Sequence, residues 1–312
     1  VNKKLTLFFI FVLLFGTAGL SFGGTYKDAV GREVVIEHNP TRIVPLAPSL
    51  TEILYYLGMG NKVVGVTNYS YYPPEALKKP KIGSYIDINI EKILTLGPDL
   101  VIGTKDGNKP GVVDLLEQAK IPTYIVDPRN VVEVINTIRI IGRLCGVEER
   151  ANRLASGLEN RLERIKKSVE DRKKPLVFLQ INLHPIMTVN KNTFHQDIIT
   201  IAGGINMTAE SRVNYPRVSI EELIRKKPEI LIISSMDRGG EFEKARQEWL
   251  KWTSIPAVKN GRVHLIDSDL IDRPSPRIVD GIEDMAKMLH PEVEWDGVID
   301  GAGLKAQGAG KH

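Results

Sequence analysis

The chain has 312 residues, 42% hydrophobic and 26% charged, with a formal net charge of +4. That suits two globular domains and excludes a disordered or fibrous chain. No basic run exceeds two lysines and a flanking arginine, so charge leaves no footprint for nucleic acid.

In chain order, residues 1–23 have the form of an export signal. Lys3 and Lys4 precede an apolar run at 5–15, and Ser21 and Gly23 mark a cut before Gly24. The run is too short for a spanning helix, which needs roughly 20 residues. With no Cys near the cut, the expectation is an exported, periplasmic chain that is not a lipoprotein. Residues 24–40 read as a hairpin-like entry with Gly31 at its turn, and RIVPLA (42–47) as a buried strand. SLTEILYYLGMG is a helix with Ser49 as cap and Glu52 at the third position, stopped by Gly58 and Gly60. NKVVGVT (61–67) is the next strand, and this order is the unit of an open α/β sheet. The following segment holds Tyr69, Tyr71 and Tyr72 with two prolines. Loops at strand carboxyl ends are where such sheets bind ligands, and tyrosines there can stack on a flat one.

Residues 85–102, YIDINIEKILTLGPDLVI, are matched at an offset of 130 by YPRVSIEELIRKKPEILI at 215–232. Tyr85 pairs with Tyr215, Asn89 with Ser219, Glu91 with Glu221 and Pro98 with Pro228. Asn89 caps one helix, Ser219 and Glu222 make a capping box on the other, and a strand follows each proline. Helix dipoles explain a carboxylate in each first turn. They do not explain why both lobes share one register.

Residues 111–120 and 130–146 read as helices around a strand at IPTYIVD, and the second helix runs on to 147–172. That 26-residue stretch has no Pro, one internal Gly157, and Leu154, Leu158, Leu162, Ile165 and Val169 at helical spacing. A straight helix of this length spans roughly 39 Å, enough to bridge two lobes. Beyond it come the strand LVFLQI, a helix closed by Gly203 and Gly204, the helix EKARQEWLKW, the strand GRVHLID and a last helix in SPRIVDGIEDMAKMLH. The expected division is 1–23 export signal, 24–146 first α/β lobe, 147–172 spine, 173–290 second lobe and 291–312 a flexible tail.

The sequence lacks GxGxxG after a strand, GxxxxGK[ST], HExxH, GxSxG and CxxC, which argues against an enzyme; a hydrolase using a Ser with His184 or His264 is the rival class. Only His38 of six histidines precedes the spine, and it lies before the first sheet strand, so no metal site is expected. His184 and His195 are surface or capping residues, or contacts to a chelate. Cys145, the only cysteine, sits in an apolar helical pattern and should be a buried thiol. Arg273 follows the strand GRVHLID, where it can meet a ligand or form a salt bridge with Asp269 or Asp272.

Together NYSYYPPEA, IGSYIDINIEKILTLGPDLVI, VFLQI, SRVNYPRVSIEELI and DRPSPRI resemble the periplasmic binding proteins for cobalamin, ferric siderophores and haem that feed ABC importers, and look most like the cobalamin-binding branch. The resemblance spans about residues 40 to 290. It implies a class III fold: two similar α/β lobes with mostly parallel central sheets, bridged by one long rigid helix. It also implies a non-enzymatic, cofactor-free monomer that takes a large metal chelate between its lobes. Its partner would be a permease dimer of the inner membrane, docked through Glu91 and Glu221. By motif position Tyr72, Tyr85, Tyr215, Met187, Asp269 and Arg273 would touch the ligand, and Thr104 stands where that branch has Trp. Cobalamin or a related corrinoid is the expected cargo, with a ferric siderophore or haem as alternatives.

Overall fold

The computed structural model describes residues 23–234 and 241–295. Residues 1–22 of the expected export signal and the Gly-rich part of the tail lie outside the described residues. Strands β1 (Gly24–Lys27) and β2 (Glu33–Ile36) form the expected antiparallel hairpin. Its turn is closed by the Asp28 carboxylate, which accepts from the Val30 and Arg32 amides at 3.0 and 2.9 Å, with Gly31 at φ +90°.

Two parallel sheets follow. The first contains β3 (Ile43–Pro45), β4 (Leu100–Thr104) and β5 (Thr123–Val126), in the order β3-β4-β5. The second contains β6 (Leu176–Gln180), β7 (Ile205–Asn206), β8 (Ile230–Ile233) and β9 (Val263–Leu265), in the order β7-β6-β8-β9. All residues of β4, β5 and β8 are buried, as strands covered on both faces must be. The strand expected at 61–67 is reduced to single bridges, Val63 with Ile43 and Val66 with Lys81. From Val66 onward its backbone bonds the 80–82 segment instead, Val66 N to Pro80 O at 3.0 Å and Ile82 N to Val66 O at 3.0 Å. With Val63 placed beside β3, the two sheets have one order.

The helices are α1 (Pro48–Tyr56), α2 (Ile90–Leu96), α3 (Pro110–Gln118), α4 (Val131–Leu144), α5 (Glu148–Val169), α6 (Phe194–Ile201), α7 (Ile220–Lys226), α8 (Glu241–Trp249), α9 (Pro256–Lys259), α10 (Ser268–Ile271) and α11 (Ile278–Leu289). Helix α1 begins one residue before the expected cap: Ala47 is the N-cap and Pro48 occupies the first turn, where its fixed φ suits a helix start. Ser49 therefore lies inside the helix.

The repeat is visible in the helix ends. Asn89 caps α2 by accepting from Lys92 N at 2.9 Å, and Ser219 caps α7 by accepting from Glu222 N at 3.3 Å. The capping is one-sided, because the Glu222 carboxylate pairs with Lys226 at 3.1 Å instead of closing a box. At the far ends Gly97 and Lys227 both adopt left-handed backbone, with φ 53° and 56°. A glycine does this freely, whereas a lysine does it at a cost.

Helix α5 is the expected spine, with 22 of the 26 residues helical. It is more than a strut. Ala151, Leu154, Ala155, Leu158, Leu162, Ile165 and Val169 are buried along its length. On one side Arg139 of α4 makes a two-pronged pair with Glu159 at 2.7 and 2.8 Å. On the other, Arg161 bonds Asp280 and Glu283 of α11 at 2.7 and 2.8 Å. One buried apolar cluster runs from β3, α1 and α4 through α5 to β6, α6 and α11. The expected flexible tail begins too early at 291, since Trp295 is buried against this cluster and donates its Nε1 to His290 O at 3.1 Å. Cys145 is buried, and desolvation pushes its thiol up to about 12, as an inert core residue requires.

Candidate functional site

The carboxyl ends of the parallel strands open on a cavity of about 1100 Å³. The first lobe contributes the loops after β3, β4 and β5 and the Tyr-rich segment. The second contributes the start of α6, the 214–215 turn and the stretch that begins with α10. Tyr69, Tyr71, Tyr85, Tyr215 and Phe194 provide its aromatic walls. Tyr69 and Tyr71 meet edge to face, ring centres 6.3 Å apart, and Phe194 stacks on His195 at 4.2 Å.

Four of the six expected ligand contacts line this cavity: Tyr85, Tyr215, Asp269 and Arg273. The Tyr85 hydroxyl is anchored in its own lobe, bonded to the Asp106 carbonyl and lying 3.1 Å from Thr104 Oγ1. Gly107 makes room for it. At φ +108°, a side chain there would collide with the Tyr85 ring, so the loop needs glycine for two reasons. Tyr215 is more exposed, at 43%. Burial, with Asp106 close by in each case, raises both phenols above their ordinary value.

Tyr72 and Met187 lie outside the lining. Tyr72 packs at the junction of the lobes, its ring 6.3 Å from that of Tyr56, with the Arg277 guanidinium 4.1 Å over its face. Met187 is held in the short antiparallel pairing that closes the 182–187 turn, bridged to Asn182 and to Arg217. The Tyr-rich loop still reaches the cavity, through Tyr69 and Tyr71. Thr104 also lines it.

Arg273 forms the salt bridge weighed for it and also lines the cavity: it bonds Asp269 at 2.8 Å, Glu52 at 3.3 Å and the Tyr69 carbonyl at 3.3 Å. Glu52 is the residue that sequence reasoning missed. It is fully buried, and accepts from Ser275 Oγ at 2.7 Å and from Arg277 Nε and Nη2 at 2.9 Å each. The signal was present: Glu52 sits among Leu50, Ile53 and Leu54, and a carboxylate in so apolar a helix must find a partner. Desolvation lowers Arg273 and opposes the charge on Arg277 too, but the close pairing with Glu52 leaves Arg277 raised. Arg277 is thus the fixed member and Arg273 the one turned to the cleft.

A second ionic group was also missed. After β5, Arg129 gives Nη1 to Asp106 at 2.8 Å and Nε to Asp127 at 2.8 Å. Deeper in the second lobe Asp272 joins Ser234 Oγ at 2.9 Å to His195 Nε2 at 2.8 Å. This order places the carboxylate between Ser and His, so the histidine cannot activate the hydroxyl as in a hydrolase. His184 is exposed, and His264 lies beside neither Ser234 nor Asp272 in any hydrogen bond. Among the described residues no group of three or more His, Cys, Asp or Glu could hold a metal ion, and no helix is long and apolar enough to cross a membrane.

Residues 43–270 match the family model described as periplasmic binding protein. A relative from Bacillus subtilis (strain 168), named "Uncharacterized ABC transporter substrate-binding lipoprotein YvrC", is 32% identical over 87% of this chain and 87% of its own length. The crystal structure of the periplasmic vitamin B12 binding protein BtuF of Vibrio cholerae covers 81% of this chain and 98% of its own, with 31% identity and a TM-score of 0.72. The periplasmic heme-binding protein RhuT from Roseiflexus sp. RS-1, in apo form, has 28% identity and the same TM-score, covering 80% and 98%. One expectation falls here. A periplasmic chain that is not a lipoprotein was inferred from the lack of Cys at a cut placed only by Ser21 and Gly23, and the Bacillus relative is named a lipoprotein. With the two lobes, the bridging helix and the family match agreeing, the chain belongs to the periplasmic binding protein family, as a substrate-binding component of an ABC transporter.

Proposed function

We propose that the cleft captures cobalamin or a related corrinoid, performs no chemistry on it, and delivers it to the permease of an ABC importer. The carrying observation is the cavity itself. At about 1100 Å³ it exceeds the usual range for small-molecule pockets, and its walls are tyrosine and phenylalanine faces. Such walls suit a broad, flat ligand held by stacking and a few polar contacts. The likeness to a vitamin B12 binding structure supports this cargo, and the likeness to a heme-binding one supports the alternative of a haem or ferric chelate.

Delivery would use Glu91 and Glu221. Both are exposed in the first turns of helices with matching caps, and neither lines the cavity. The Ser219 cap holds the Glu221 carboxyl below its ordinary value, so it is charged and ready for a cationic partner. Calorimetric titration of the purified chain with cyanocobalamin, haemin and ferric siderophores tests the cargo. Tight binding of cyanocobalamin is expected; tight binding of a ferric chelate with none of cyanocobalamin would overturn the reading.

A further inference from the structure

The cleft presents two ionic groups, one from each lobe, and in each the side chains that line the cavity include more carboxylates than guanidiniums. In the first lobe Arg129 faces Asp106 and Asp127, and all three of its guanidinium nitrogens are engaged. In the second, Arg273 is held by Asp269 and Glu52, with Asp272 beside it. The lining therefore holds four carboxylates, Asp106, Asp127, Asp269 and Asp272, against two guanidiniums. The charges just behind the wall do not reverse this. Lys105 lies 3.4 Å from Asp127, and Arg277 is bound to Glu52, so the two groups together hold five carboxylates against four lysine and arginine side chains.

We propose that the cleft selects its ligand by the charge at the ligand's rim, accepting chelates edged with amides, hydroxyls or cations and refusing those edged with carboxylates. The proposal rests on the corrinoid reading above and narrows it. A rim amide entering the cleft finds carboxylate acceptors for its N–H groups and the Tyr215 hydroxyl as a donor to its carbonyl. A rim carboxylate loses water, finds both guanidiniums already paired, and stands among like charges. Discrimination of this kind works by leaving the wrong ligand's charge unpaired.

The test compares cyanocobalamin with its monocarboxylic acids, each carrying one carboxylate in place of a side-chain amide, by calorimetry on the full chain at neutral pH and low salt. At least one isomer should bind about tenfold or more weakly than cyanocobalamin, a difference of about 1.4 kcal/mol. The gap should narrow in an Asp106→Asn, Asp127→Asn double variant. It should also narrow for the unaltered protein at high salt, which screens charges without any substitution. Equal affinity of every isomer and cyanocobalamin would overturn charge selection and leave the corrinoid reading standing. Tight binding of haemin, which carries two carboxylates, with none of cyanocobalamin would overturn both. If no probe binds, the corrinoid reading falls and the selection rule falls with it.

Discussion

The most severe test of the structural reasoning is Glu52→Ala. Glu52 belongs to α1 in the first lobe, while its partners Arg273, Ser275 and Arg277 stand between α10 and α11 in the second. The Glu52 side chain is inaccessible, and those of Arg273 and Arg277 are only 15% and 11% accessible, so solvent screens little of the interaction. Truncation leaves two guanidiniums without their shared carboxylate, and breaking a buried pair from one side costs about 3 to 5 kcal/mol. At roughly 2 to 3 °C per kcal/mol for a chain of this size, Tm should fall by roughly 6 to 15 °C. Thermal and urea melts followed by circular dichroism measure it. Removing both sides, as Glu52→Met with Arg277→Met, should recover part of the loss, because it deletes the stranded charge as well as the pair. A Glu52→Ala protein within about 1 kcal/mol of the parent would refute the claim that a buried ionic junction ties the lobes together.

Other consequences are simpler to state. Tyr85→Ala and Tyr215→Ala should each weaken cyanocobalamin binding by about 0.5 to 1.5 kcal/mol beyond the loss of contact area, measured by titration; unchanged affinity in both would remove the stacking argument. Glu91→Ala and Glu221→Ala should retain ligand affinity and fail to stimulate the transporter's ATPase in reconstituted vesicles, and loss of ligand affinity would count against a docking role. Lys227→Gly should stabilise the fold by about 1 kcal/mol, since it relieves a left-handed lysine at the end of α7 where the equivalent helix already has Gly97. For pH, Tyr85 and Tyr215 keep their protons in the folded chain above the ordinary 10.0, where the unfolded chain releases them. Their contribution to stability is whole below about pH 10 and is lost as pH rises further, so Tm should begin an additional fall there that Tyr→Phe variants lack.

Much of the fold was legible because it is written in local periodicity. The spacing of Leu154 to Val169 gave the spine, and the offset of 130 gave the matched helices α2 and α7 down to their caps. The misses share a cause: each depends on what a residue meets across space. The strand expected at 61–67 had suitable side chains, but its backbone partners come from 80–82. Tyr72 looks like its neighbours Tyr69 and Tyr71, yet Arg277, more than 200 residues away, draws its ring out of the cleft. Met187 occupies a matching motif position, and the closure of the 182–187 turn decides where it goes. Glu52 read as a helix-start residue because its partners are encoded at 273–277.

The duplication explains why the cleft has the character it does. In the shared sheet order β5 and β9 are equivalent outer strands, and the chain leaving each one carries an arginine held by aspartates: Arg129 with Asp127 after β5, Arg273 with Asp269 after β9. Tyr85 and Tyr215 enter in the same paired way, from the segments preceding α2 and α7. In the proposed function a ligand between the lobes would meet an aromatic face and an acid-lined ionic group from each side. Two opposed copies of one modest site could hold a broad molecule that neither lobe could grip alone, since each contributes to one cavity and the buried junction at Glu52 ties the lobes together. Binding strength then depends on preorganisation of the two lobes as much as on any single contact, so weakening that junction should loosen the ligand's grip even though Glu52 itself lines no part of the cleft.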